Sequence, residues 1–169
     1  MFIFKSIMKQ LLLIRHAKSD RSDPALEDFD RPLNERGRKD APLMAKRILE
    51  QGVVPGLLVS SAARRARQTA RLMAAEWDYE KKRIVLEERL YEAGLAEYYA
   101  YIPALDDSLE TVALFGHNPT IGLLADALSP AEVDHFPTCG CALFQIHSGS
   151  WKNFRQAEKT LRWLGYPAR

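Results

Sequence analysis

Three short apolar runs, each cut off by a polar residue, constrain this chain more than any other feature. The first, Leu11-Leu12-Leu13-Ile14, stops at Arg15-His16. The second, Gly56-Leu57-Leu58-Val59, stops at Ser60-Ser61, and the third, Thr111-Val112-Ala113-Leu114-Phe115, at Gly116-His117-Asn118. Unbroken runs of this length read as buried strands. Helix-patterned segments separate them, so the expected fold is α/β: a three-layer sandwich around a mostly parallel central sheet.

The helical segments carry their own punctuation. Asn34 reads as an N-cap with Glu35 in the first turn, and Ala41, Met44, Ala45 and Ile48 recur at helical spacing before Gly52. Gly37 and Pro42 inside that segment point to a kink or to two abutting helical pieces. An Ala- and Arg-rich helix follows the second strand to about Trp77. Residues 84–86 read as a short strand, 95–105 and 119–128 as helices, and 141–147 as a strand. Residues 20–31, rich in Asp and Ser, read as a loop. The C-terminal stretch with Trp151, Phe154, Leu161, Trp163 and Leu164 reads as apolar cover.

With 169 residues the chain suits one domain, 1–169, able to bury a real core. A net charge of +2 argues for neither nucleic acid nor an anionic membrane as partner. No stretch approaches the roughly 20 apolar residues of a membrane span. Lys5, Lys9 and Gln10 break up any signal-peptide core, so the expected compartment is the cytoplasm. Cys139 and Cys141 fit no usual zinc spacing and read as structural thiols.

If the three strands are parallel, Arg15-His16, Ser60-Ser61 and Gly116-His117-Asn118 share one sheet edge. That edge gathers two imidazoles and at least two guanidiniums, a set suited to a dianionic phosphoryl group. The helix wheel selects among the arginines after Ser61. Ala62, Ala66, Thr69, Met73 and Trp77 share one face, while Arg64, Arg67 and Arg71 lie opposite. Arg65 falls near the buried face in the first turn, where the helix dipole favours anions, and is the candidate ligand.

The order of motifs resembles a known family. Leu13-Ile14-Arg15-His16-Ala17-Lys18-Ser19, Arg31-Pro32-Leu33-Asn34 with Gly37, Ser61 through Arg65 to Gln68-Thr69, and Gly116-His117-Asn118-Pro119 occur in sequence. Together they resemble the histidine phosphatase superfamily, with its phosphoglycerate mutase-like fold, and within it the compact SixA-type phosphohistidine phosphatases. The resemblance implies His16 as a nucleophile forming a phosphohistidine intermediate, in a pocket of Arg15, Arg65 and His117. It implies Arg31, Asn34 and Ser19 as further polar groups beside the phosphate, and no metal or cofactor. Neighbouring arginines disfavour an imidazolium, so His16 is expected to stay neutral, with one ring nitrogen held by a fixed acceptor.

Glu92 stands where larger members of the superfamily keep a proton donor, between a predicted strand and helix. An alkoxide leaving group needs such an acid more than an imidazole does. Only about 25 residues run from Arg67 to Tyr91, too few for the inserted lids of relatives that act on small molecules. An open pocket favours phosphohistidine on a protein, either a phosphotransfer domain of a signalling relay or a phosphocarrier. The alternatives are a small phosphoester as substrate, or a non-catalytic phosphohistidine-binding module. SixA-type chains begin near Met8, so residues 1–7 read as an extension: an extra strand or arm, or sequence ahead of a start at Met8.

Overall fold

The computed structural model describes residues 8–130 and 132–168; the N-terminal extension lies outside them. Six strands form one sheet in the order β3-β2-β4-β1-β5-β6: β1 is Lys9–Arg15, β2 Leu57–Ser61, β3 Val85–Glu87, β4 Thr111–Gly116, β5 Cys141–Ile146 and β6 Lys159–Gly165. The four strands from β3 to β1 are mutually parallel, and β5 and β6 add an antiparallel edge. Helices α1 (Glu35–Glu50) and α2 (Arg64–Glu76) cover one face; α3 (Leu95–Tyr101) and α4 (Thr120–Leu128) cover the other.

The absence of polar alternation in β1 has its cause here. Leu12 and Ile14 pack under α1 and α2 with Met44, Ile48 and Met73, while Leu11 and Leu13 pack under α4 with Ile121 and Leu124. Both faces of the strand are core. Truncating one such leucine to alanine costs about 2–5 kcal/mol.

α1 runs as one segment through Pro42, held by the burial of Ala41, Met44, Ala45 and Ile48. The 95–105 helix divides into α3 and a 3-10 turn, Ile102–Ala104. β6 corrects the reading of the C-terminus as cover alone. Its register against β5 shifts between Leu143 and Phe144, and as an edge strand it buries one face only partly. The period-2 signal is therefore weak.

The topology places the site. Register pairs Arg15 with Gly116 and Ser60 with Phe115, so β1, β2 and β4 end together. The chain leaves β1 toward α1 on one face and the adjacent β4 toward α4 on the other. A crevice opens at such a divergence, beyond the carboxyl ends of the strands.

Candidate active site

His16 is locked by its backbone and by its ring. Its amide donates to Gly116 O at 3.1 Å and its carbonyl accepts from Cys139 N at 3.0 Å. The next amide, Ala17 N, donates to Thr69 Oγ1 at 2.9 Å, and that hydroxyl donates to Arg65 O. Nδ1 lies 2.7 Å from Ala17 O. A carbonyl only accepts, so Nδ1 carries the proton and Nε2 the lone pair. The expected fixed acceptor is thus the next residue's own carbonyl. Burial first, then His117, Arg65 and Arg15, holds the His16 pKa well below its ordinary value, against the pull of the Ala17 carbonyl. The ring is neutral at physiological pH.

Arg65 is buried in the first turn of α2, as the helix wheel requires, among Ala66, Thr69, Ala70 and Met73. Its Nε donates to His16 Nε2 at 3.3 Å, and its outer nitrogens donate to Asp28 O and to an Asp28 carboxylate oxygen at 2.7 and 3.0 Å. Arg15 donates to Phe136 O at 3.2 Å. Its pKa is lowered by burial and then by the charges of Arg21 and Arg65. His117 Nε2 lies 2.8 Å from Ser61 Oγ, and the two imidazoles lie with centroids 5.1 Å apart and planes tilted by 50°. Burial and then Arg65 push the His117 pKa down to about 4. Gly116 must be small because a Cβ there would meet the buried Tyr98 hydroxyl at 2.2 Å.

Arg31 and Ser19 come together: Arg31 donates to Ser19 Oγ at 2.8 Å and, through Nε and an outer nitrogen, to Asp28 at 3.1 and 2.7 Å. Asn34 does not join them. Its side-chain oxygen accepts from Gly37 N at 2.8 Å, capping α1, and it faces a separate surface hollow with Glu35, Arg36 and Lys39. The structure places Asn34 as the α1 cap and not on the wall that holds Arg31 and Ser19, which differs from the expectation of Asn34 beside the phosphate.

Two compartments meet at Arg65, Asp28, His117 and Asn118. One, about 180 Å³, is edged by Arg15, His16, Lys18, Ser19, Arg21 and Arg31. The other, about 310 Å³, is lined by Leu90, Tyr91, Glu92, Ala93, Pro119 and Thr120. Glu92 is exposed on the second wall.

Asp28 and Tyr91 escaped the sequence reading. Burial raises the Asp28 pKa, but hydrogen bonds from Tyr91, Arg31 and Arg65 outweigh it and hold the carboxylate ionised. The Tyr91 hydroxyl donates to it at 2.5 Å, and the ring stacks edge-on against Phe29 and His117. Burial and Asp28 push the Tyr91 phenol up to about 12. The one signal for Asp28 was its place three residues before Arg31, in a stretch read only as polar loop.

Cys139 and Cys141 are free, buried thiols, Cys139 in the left-handed region at φ 59°. Burial raises both pKa values, so neither is poised to react. Among the described residues no group of three or more His, Cys, Asp or Glu could hold a metal ion, and no helix is long and apolar enough to cross a membrane.

This chain belongs to the histidine phosphatase superfamily, branch 1, whose family model matches residues 11–104. An uncharacterized chloroplastic protein of Arabidopsis thaliana is 32% identical over 155 residues, covering 87% of this chain and 71% of the relative. Among solved structures, a provisionally assigned phosphohistidine phosphatase SixA from Nakamurella multipartitia superposes with TM-score 0.83 at 25% identity, over 96% of this chain and 98% of that one. The protein histidine phosphatase SixA complexed with tungstate superposes at 0.76 and shares the fold at 24% identity, over 92% and 95% of the two chains.

Proposed function

We propose that this protein is a cytoplasmic phosphatase that removes the phosphoryl group from phosphohistidine on a signalling or phosphocarrier protein. The observation that carries the reading is the His16 tautomer: Nδ1–H is fixed on Ala17 O, and Nε2 is the unprotonated nitrogen, accepting from Arg65 Nε at 3.3 Å. Nε2 attacks phosphorus and the substrate N–P bond breaks. Its electron pair goes to the departing imidazole nitrogen, which takes a proton. Arg15, Arg31 and Arg65 bind the equatorial oxygens and stabilise their charge in the in-line transition state. Water then displaces phosphate from His16 and restores the lone pair. Ser19 and Asp28 aim Arg31, and Asp28 aims Arg65. The scheme uses no metal or cofactor.

A small phosphoester is the second reading, favoured by Glu92 on the wall shared with Arg65 and His117. There Glu92 protonates a departing alkoxide. The test is turnover of a phosphohistidine-bearing carrier protein beside an aryl phosphate, with wild type and His16→Ala. Fast protein turnover, weak aryl turnover and a dead variant support the proposal. Aryl turnover as fast or faster, impaired by Glu92→Gln, moves the function to small molecules. Turnover of neither, with phosphoprotein binding that survives His16→Ala, makes the domain a binding module.

A further inference from the structure

The phosphoryl compartment carries more positive charge than a phosphoryl group needs. Arg15, Arg31 and Arg65 supply three charges and Asp28 removes one, leaving two for a dianion to cancel. Both imidazoles are neutral. Lys18 and Arg21 stand at the mouth of the same compartment, both exposed. Among the described residues neither side chain makes an ion pair or hydrogen bond. The nearby carboxylates are turned into their own turns and form no ion pair with either cation: Asp20 accepts from Ser22 N at 2.7 Å and Asp23 from Ala25 N at 3.0 Å.

The backbone that carries these two cations is held in place. Lys18 O accepts from Asn34 N at 3.0 Å, Ser19 bridges to Leu33, and Asp20 N donates to Pro32 O at 2.8 Å. Gly37 packs so closely that a Cβ there would lie 2.2 Å from Lys18 O. The strap before Arg21 is therefore clamped to the α1 entrance, and its charges are presented with little further loss of backbone freedom.

We infer that Lys18 and Arg21 form a second, cationic subsite that reads carboxylates flanking the phosphohistidine on an acidic face of the partner protein. The inference rests on the phosphatase reading and adds the partner's chemistry. The compartment of about 180 Å³ holds the phosphoryl group, the second one of about 310 Å³ adjoins it on the far side from Lys18 and Arg21, and these two cations line the exposed rim of the first. Charges so placed meet a surface laid across the mouth and not a small molecule swallowed by it. Complementary rim charges act on encounter and partner choice, and salt screens them.

The test uses phosphohistidine peptides of equal length, flanked by glutamates or by glutamines. A stable phosphohistidine analogue in the same two contexts is measured by binding. The expected result is a KM about tenfold lower for the glutamate peptide at low salt, a matching gap in Kd for the analogue, and erosion of both by 0.5 M salt. Lys18→Glu combined with Arg21→Glu should bring the two peptides to parity or invert them, read as the ratio of their KM values, while the ratio of their kcat values stays as in wild type. A melting temperature near wild type shows that this variant folds. Equal affinity of wild type for both contexts overturns the inference, as does a preference that survives the double variant. A larger KM gain for an aryl bisphosphate over its monophosphate than for the acidic peptide assigns the subsite to small molecules, against the inference. If no peptide or ester turns over, the phosphatase reading fails, and the analogue Kd values still decide this one.

Discussion

The two compartments of the cleft are built differently. The phosphoryl side takes Arg15, His16 and Arg65 from strand ends and a helix start, and hydrogen bonds fix His16 Nδ1 and the Arg65 guanidinium there. The opposite side takes Tyr91, Glu92 and Ala93 from the segment between a 3-10 turn, Glu88–Leu90, and α3, with Glu92 exposed. On the proposed mechanism, the chemistry that tolerates no misplacement sits on the sheet edge, and the surface facing the leaving group is left to connecting segments. If so, substitutions on the first side should damage turnover of every substrate, and those on the second should discriminate among substrates.

The largest effect is expected at Arg65. Arg65→Ala removes the cation beside Nε2 and should lower kcat by about 10³–10⁴ for phosphohistidine and aryl phosphate alike. A loss confined to one substrate would break the division. Next comes pH. His117 holds its proton at about 4 in the fold, against about 6.5 unfolded, so the unfolded chain binds protons first as pH falls. Stability is full above pH 6.5 and declines toward pH 4, by on the order of 3 kcal/mol from His117, with His16 acting in the same direction. Urea midpoints between pH 7.5 and 4.5 measure this, and His117→Asn should flatten the slope; a wild-type midpoint that does not fall would refute neutral imidazoles.

On the leaving-group side, Glu92→Gln should slow aryl phosphate turnover about 10- to 100-fold and phosphohistidine turnover far less. Equal losses would place Glu92 with the phosphoryl machinery. The smallest effect belongs outside the cleft. Asn34→Ala removes the α1 cap and should cost about 1 kcal/mol in thermal stability while kcat for either substrate holds. A selective rise in phosphate KI would restore Asn34 to the pocket.

Legibility in the sequence followed the same division. Arg15, His16 and His117 were readable because each directly ends an apolar run, so local pattern and tertiary position coincide. Arg65 was readable because helical period fixes its azimuth relative to Ala66 and Met73. Asp28 was not, since its position depends on a loop folding back over α2 to meet Arg65, thirty-seven residues on. Asn34 was legible as the α1 cap, while its separation from the Arg31 and Ser19 wall depends on how the α1 entrance sits against the strand ends. β6 was missed because its pairing with β5 is irregular at Leu143 and Phe144.

By itself the sequence determined the α/β class, the shared edge of three strands and the four residues at its centre, because strand ends and helix faces are set within a few residues of chain. The tertiary structure alone decided which nitrogen of His16 carries the proton, which carboxylate aims Arg65 and which cations stay unpartnered at the mouth. Those depend on hydrogen bonds and fields between segments distant in the chain, and no local period encodes them.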